Sequence, residues 1–370
     1  MSEHAVTEQQ VLDALRAVID PDLRRDIVSL GFVKDVKICD GNVAFKIELT
    51  TPACPVKDLM KSQAIQAVQQ IPGVKSVNVE MTASVRSRQV GVEDLLPNVR
   101  HVIAVASGKG GVGKSTVSVN LAVALAQTGA KVGLLDADVY GPSVPLLMGT
   151  RETPHVVNDK IIPVERYGVQ MMSLGFLLPD DQAVIWRGPM VAGTVRQLLT
   201  DVEWGEKDYL IVDLPPGTGD APMTLSQSVP ITGVVIVMTP QDVAFTIAAK
   251  SVAMFRKLEE GLGRPIPILG IIENMALFAC PHCGEVTRIF SGGGGEQAAE
   301  RLGVPLLGSI PLDPTISLSG DEGVPAIIAH PESAQAQAFR QIAQALAAQC
   351  SIHSMADHTL LRNIPLIWRS

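Results

Sequence analysis

The run Gly108-Lys109-Gly110-Gly111-Val112-Gly113-Lys114-Ser115-Thr116 sits between a strand-like stretch, Val99-Arg100-His101-Val102-Ile103-Ala104-Val105-Ala106-Ser107, and an apolar helical stretch over residues 116–127. Strand, glycine-rich loop and helix start, in that order, make a phosphate cradle. Backbone N–H groups and the helix N-terminus surround the anion, Lys114 neutralises it, and the Ser115 hydroxyl reaches Mg²⁺. The alternative is a chance glycine-rich turn, but such a turn has no reason to fall at a strand–helix junction. The loop therefore requires an α/β chain whose ligand lies at the C-terminal ends of parallel strands.

The rest of the composition agrees with that requirement. The chain has 370 residues, 46% hydrophobic but only 4% aromatic and 18% charged, as suits buried parallel strands rich in Val, Ile, Leu and Ala. Its net charge of −8 gives no general pull toward nucleic acid or anionic lipid, so neither is expected as a partner. Residues 1–10 lack the basic and apolar segments of a secretory signal, and no apolar run reaches membrane-spanning length. A cytoplasmic protein is expected. Five cysteines in so long a chain make no disulfide framework, so closely spaced cysteines read as metal ligands or redox groups.

Residues 1–90 read as a separate α+β unit. It has helical patterns over residues 7–18 and 57–70, and strands over 33–38, 43–49 and 74–81, punctuated by Asp40-Gly41-Asn42 and Pro72-Gly73. Residues 91–98 are the expected linker. Residues 99–349 alternate strands and helices, as a doubly wound, mostly parallel sheet requires, with strands expected over 99–107, 131–136, 209–213, 233–239, 266–273 and 304–310. Ser291-Gly292-Gly293-Gly294-Gly295 reads as a hinge or simple loop before a helix, and the terminal helix is expected over 332–349. Residues 350–370 form a tail with an apolar end, docked or disordered, in which Pro365 interrupts any useful amphipathic helix.

Two acidic strand ends complete the phosphate chemistry. Leu134-Leu135-Asp136-Ala137-Asp138 carries two acids two residues apart, and Tyr209-Leu210-Ile211-Val212-Asp213 carries one after four apolar residues. An isolated acid in such a place is a helix cap or a solvated turn. Beside a phosphate cradle, Asp213 becomes the carboxylate on the Mg²⁺ side, and Leu214-Pro215-Pro216-Gly217-Thr218-Gly219-Asp220 a stiff loop able to sense the γ-phosphate.

The cysteines divide into classes. Phe278-Ala279-Cys280-Pro281-His282-Cys283-Gly284 offers two thiolates with metal-ligand spacing, whereas a closed tetrathiolate site needs four. No second such pair exists in the chain, so an isologous dimer would bring the other two to its two-fold axis. Structural zinc between subunits, a redox disulfide and plain burial remain open readings. Cys54, before a helix starting near Val56, is either a thiol with lowered pKa suited to transfer or docking, or a small buried apolar residue. Cys39 and Cys350 read as structural.

With the second lysine Lys109, these stretches resemble the deviant Walker A branch of phosphate-loop ATPases, which includes septum-site and chromosome-partitioning ATPases and the nitrogenase iron protein. The resemblance implies a nucleotide-sandwich dimer in which Lys109 reaches the partner's nucleotide. It also implies that Asp138 positions water, Asp213 is the Walker B acid, Asp220 belongs to switch II, Asn274 reads the adenine edge and Pro311 packs on the base. A narrower resemblance rests on Asn274-Met275, Cys280 to Gly284, Asp136 to Ser143 and Asp213 to Asp220, which look like the Mrp/NBP35-type (ApbC-type) iron–sulfur cluster carrier ATPases. Asp20-Pro21-Asp22, Leu30-Gly31 and Thr50-Thr51-Pro52-Ala53-Cys54-Pro55 resemble the MIP18-like domain fused to many of them. The resemblance implies a homodimeric ATP hydrolase using ATP and Mg²⁺. It would carry a [4Fe–4S] cluster on Cys280 and Cys283 of both subunits and deliver it to iron–sulfur apoproteins alongside cluster assembly proteins. The rivals are a positioning or partitioning ATPase, which needs a basic patch or amphipathic terminal helix, and a zinc-bridged regulatory dimer.

Overall fold

The computed structural model describes residues 6–85, 95–177, 188–217, 219–229, 231–279, 283, 285–290 and 294–362. It divides into two compact units, Met1–Arg86 with Met355–Ser370, and Ser87–Ser354.

The first unit starts with α1 (Glu8–Leu15), whose first turn is closed by a reciprocal cap: the Thr7 hydroxyl accepts from Gln10 N, and the Gln10 side chain accepts from Thr7 N. A short hairpin of β1 (Ile19–Asp20) and β2 (Arg25–Asp26) follows. The strands β3 (Val33–Cys39) and β4 (Asn42–Leu49) pair antiparallel, helix α2 (Lys57–Gln69) crosses over, and β5 (Ser76–Ala83) pairs parallel with β4. Alternation along β4 buries Val43, Phe45, Ile47 and Leu49 with Val11 and Leu15 of α1 and Met60, Ala64 and Val68 of α2. Each fully buried large side chain among them stabilises the unit by about 1.5–3 kcal/mol. Met355 packs against the same core.

The second unit begins with β6 (Val99–Ala106), α3 (Lys114–Gln127), β7 (Val132–Asp136) and α4 (Val144–Leu147). Two hairpins follow, β8 (His155–Val157) with β9 (Lys160–Ile162), and β10 (Val164–Arg166) with β11 (Val169–Ser173). Next come α5 (Gly188–Thr200), β12 (Lys207–Asp213), α6 (Asp220–Ser228), β13 (Gly233–Met238), α7 (Asp242–Leu262) and β14 (Ile268–Ala279). The chain continues through β15 (Val286–Thr287), α8 (Gly294–Leu302), β16 (Leu306–Leu312), α9 (Pro314–Asp321), α10 (Ala326–Ala329) and α11 (Ala334–Arg362).

Among the described residues the sheet order is β10-β11-β7-β12-β6-β13-β14, with β16 parallel and β15 antiparallel on β14. Both β12 and β13 are buried throughout, as the apolar run of β13 and the apolar centre of β12, Tyr209 to Val212, require. The order reverses at β6, whose neighbours are β12 and β13, so the crevice at its C-terminal end is the place for a ligand. Register then decides which side chains meet there. Asp213 lies opposite Asp136 on one side and Val105 on the other, so the two acidic strand ends lie side by side next to the strand feeding the glycine loop.

Several elements depart from the sequence expectations. The terminal helix does not stop at Gln349 but runs to Arg362; Ser351 and Ser354 are accommodated in it with their hydroxyls donating to the carbonyls of Ala347 and Cys350, at 3.0 and 2.9 Å. The apolar end from residue 363 lies outside the described residues. Strand β14 extends past Asn274 to Ala279, and β16 extends through Pro311, which is tolerated because β16 is an edge that pairs with β14 alone among the described strands. The hairpin β10–β11 is additional. Its two-residue turn, Tyr167 at φ 51° and Gly168 at φ 75°, carries no strong turn signal, and β11 is rich in Met rather than β-branched residues. Of the glycine run, Gly294 and Gly295 open α8, and residues 291–293 lie outside the described residues.

Candidate nucleotide site and cysteine hairpin

The glycine loop joins β6 to α3 without a side-chain cap; Gly113 occupies the cap position at φ 78°. That φ favours glycine, and a Cβ there would fall 2.4 Å from Asn274 Nδ2, so space and backbone both exclude a side chain. A Cβ on Gly108 would fall 2.4 Å from Ile247 Cγ2 on α7, which packs directly on the loop. Lys109 is half-buried, and its ammonium donates to Gln241 Oε1 at 2.7 Å, within its own chain. Gly217 N donates to Ser107 O at 2.8 Å, tying the Pro-Pro-Gly loop to the loop's base. Asp220 opens α6, and Thr218 lies outside the described residues.

Lys114, Ser115 and Asp213 converge. Lys114 Nζ stands 2.7 Å from Asp213 Oδ2, with side chains 6% and 0% exposed. The hydroxyls of Ser115 and Ser118 donate to Oδ2 and Oδ1 of the same carboxylate, each at 2.6 Å. Residues 115 and 118 share a helix face by their three-residue spacing, and that spacing is the sequence signal for Ser118.

Asp136 is the second residue that sequence reasoning underused. Its Oδ1 accepts from Asp138 N at 3.1 Å, and its Oδ2 from Val144 N at 3.2 Å and Ser173 Oγ at 2.9 Å. It thereby fixes the loop that carries Asp138 to the start of α4 and the end of β11. Burial first, and the Asp213 charge second, push its carboxyl up to about 7. Burial also raises Asp138, opposed by Lys114, and Asp138 Oδ1 is buried with no hydrogen-bond partner among the described residues. A buried acceptor in that state is aimed at a donor from a ligand or water.

Beside the loop, a cavity of ≈ 230 Å³ is lined by Gly113, Thr116, Asn274, Pro311, Ile316 and neighbouring residues. Asn274 Nδ2 donates to Val112 O at 2.9 Å, and its Oδ1 accepts from Met275 N at 3.0 Å. The adjacent Glu273 is 8% exposed; it accepts from Gly295 N at 2.8 Å and Ser309 Oγ at 2.7 Å, clamping β14 to α8 and β16.

Past Asn274, β14 leads into the cysteine motif. Phe278 and Ala279 pair with Thr287 and Val286, so the segment after the cysteine motif returns as a short hairpin arm. Cys283 is exposed within it, and Cys280 lies outside the described residues. Val286 and Ile289 are 60% and 51% exposed. Among the described residues no three His, Cys, Asp or Glu side chains form a metal-holding group. Of the two readings of Cys54, its surroundings favour the small buried residue: it is 9% exposed inside the first unit's core, and burial pushes its thiol up, outweighing the backbone N–H of Val56. Cys350 is fully buried and its thiol is raised by burial, whereas Cys39 is exposed.

A glycine loop at the switch point of a parallel sheet, with Lys114, Ser115 and a buried strand-end acid together, defines a phosphate-loop NTPase. The chain matches the family described as NUBPL iron-transfer P-loop NTPase over residues 98–347, and the one described as iron-sulfur cluster assembly protein over residues 8–81. It is 48% identical to the iron-sulfur cluster carrier protein of Deinococcus radiodurans over 94% of this chain and 97% of that one. Its identity with the iron-sulfur cluster carrier protein of Escherichia coli is 38%, over 91% and 93% of the two chains. Among solved structures it resembles a nucleotide-binding protein of Archaeoglobus fulgidus in complex with ADP, at a TM-score of 0.57 and 40% identity, covering 68% of this chain and 98% of that one. The cell division ATPase MinD of Pyrococcus furiosus matches at a TM-score of 0.50 and 26% identity, over 66% and 98% of the chains. This chain belongs to the iron-transfer P-loop NTPase family and carries the MIP18-like iron–sulfur assembly domain ahead of it.

Proposed function

We propose that the protein is an ATP-hydrolysing carrier that holds a [4Fe–4S] cluster between two copies of itself and hands it to iron–sulfur apoproteins in the cytoplasm. The observation that carries this reading is continuity: β14 runs from the base cavity at Asn274 straight into the hairpin of Cys283, so one strand serves nucleotide and cargo. The relatives named as cluster carriers span nearly the whole chain, which supports the same cargo.

In this reading, Lys114 leaves Asp213 for the phosphates, and the loop's N–H groups hold them in line. The Ser115 hydroxyl and the Asp213 carboxylate are adjacent oxygen donors that suit a hard cation, so they fit Mg²⁺, which neutralises phosphate charge when bound. Asp138 Oδ1 accepts a hydrogen bond from the attacking water, and Asp136 keeps the Asp138 backbone in place. Lys109 exchanges Gln241 for the partner's nucleotide on dimerisation, Asn274 and Pro311 hold the base, and Cys280 with Cys283 supply half the cluster's thiolates. Cys54 is a packing residue.

The test is anaerobic reconstitution with iron and sulfide, followed by analysis for iron, acid-labile sulfide and zinc. The reading predicts about four iron ions per two chains. Zinc retained while iron and sulfide are refused would replace it with the zinc-bridged module.

A further inference from the structure

Met275 has a φ of 60°, in the left-handed region that long side chains avoid. The other described non-glycine residues with positive φ occupy different places. Arg24, Asp40, Asn158, Asp159 and Tyr167 sit in turns between paired strands, and Asp35 sits at the irregularity between Lys34 and Lys37 in β3. Met275 instead lies inside β14, where the pairing with β16 slips between Asn274 and Phe278. What holds it there is visible. Its N–H donates to Asn274 Oδ1 at 3.0 Å, and the same amide's Nδ2 donates to Val112 O of the glycine loop at 2.9 Å. On the near side of this step, Glu273 is clamped to Gly295 and Ser309; on the far side, among the described residues, β14 pairs with β15 at Phe278 and Ala279 and resumes its pairing with β16 at Phe278, opposite Leu312, at the root of the hairpin bearing Cys283.

We propose that the step from Asn274 to Met275 is a strained joint through which occupancy of the nucleotide cavity changes the set of the cysteine hairpin. This rests on the reading of the cavity as a nucleotide site. A base edge that takes the Asn274 amide as donor and acceptor draws it from Val112 and from Met275. Met275 N–H then loses the bond that stabilises the left-handed conformation, the backbone relaxes toward extended, and the hairpin root loosens. The fixed Glu273 clamp directs that movement outward along β14 rather than back into the sheet. A position of backbone strain at a functional junction is a natural bistable element, because a small change in one hydrogen bond shifts the balance between two conformers.

Amide hydrogen exchange on the full-length, metal-free protein tests this, with and without saturating ADP and Mg²⁺. Exchange in the peptides covering Phe278, Ala279, Val286 and Thr287 should quicken about fivefold on nucleotide binding, the lower end of measured couplings. Met275→Ala keeps the Cβ, and therefore the strain, and should respond like the wild type. Met275→Gly removes the strain, and its hairpin should show the same exchange with and without nucleotide. Slow exchange of the β6 and β12 amides in each variant establishes that it is folded. A full response in Met275→Gly, or no response in a wild-type protein that binds ADP, would overturn the joint. Calorimetry on the same samples separates the two claims: absence of ADP binding removes the nucleotide reading and the joint with it, whereas binding without a hairpin response removes the joint alone.

Discussion

Asp213 is fully buried and receives a lysine and two hydroxyls, all within one chain, whereas Cys283 is exposed on a hairpin rooted by two paired residues. The first region is preorganised within one chain: Lys114, Ser115 and Ser118 meet Asp213, and register between neighbouring strands sets it beside Asp136. The second is incomplete by itself in the proposed reading, since Cys280 and Cys283 are two thiolates where a closed cluster site takes four. The difference follows from what each handles. Phosphoryl transfer depends on preorganised charge shielded from water, so its parts are placed before the substrate arrives. A cargo that must be accepted and given away has to sit where another chain can reach it, and an exposed hairpin provides that.

If the contrast is right, mutations in the two regions should fail in opposite ways. The largest effect is expected from Lys114→Ala, which removes the phosphate's cation and strands Asp213 as a buried charge. ATP hydrolysis should fall by about 10²-fold or more, and urea unfolding should show a loss of about 3 kcal/mol. Wild-type turnover in that variant would break the comparison at its stronger end. Cys283→Ser should do the reverse: cluster loading is lost, while the unfolding free energy changes by less than about 0.5 kcal/mol because the side chain is exposed. Alkylation kinetics sharpen the contrast between thiols, with Cys54 expected to react about a hundredfold more slowly than Cys283, given its burial and raised pKa.

A subtler test concerns pH. Because burial and Asp213 raise the Asp136 carboxyl from 3.8 to about 7, the folded protein holds a proton there that the unfolded chain has released. That residue therefore lowers stability progressively as pH rises through this window and no further above it. Asp136→Asn lacks the dependence, so its stability relative to wild type should improve between about pH 4 and about pH 7 and then level off. Parallel urea titrations of the two proteins check it. The smallest effect belongs to Ser118→Ala, which removes one of three donors to Asp213 and should cost about 1 kcal/mol, measured in the same way.

The phosphate region was the more legible of the two in the sequence. The glycine loop, Asp138, Asp213 and the flanking apolar strands are local patterns with fixed spacing, and they fixed the sheet's central order of chemistry. Asp136 was visible as an acid, but its role as a clamp depends on Val144 and Ser173, which register and a Met-rich strand bring to it. Gln241 beside Lys109, and Glu273 beneath α8, are likewise products of long-range packing that no local pattern encodes. Cys54 shows why two readings stayed open in the sequence: a helix start is a local signal, whereas the environment of this thiol is set by the core of its unit.

The central claim is that two chains complete what one chain half-builds. Native mass spectrometry of the anaerobically reconstituted protein tests it most directly. The account predicts that iron and sulfide appear only on a species of two chains, as a single four-iron cluster, and that Cys283→Ser leaves no cluster-bearing species. A single chain carrying the full cluster, or a dimer whose added mass is zinc alone, would contradict it.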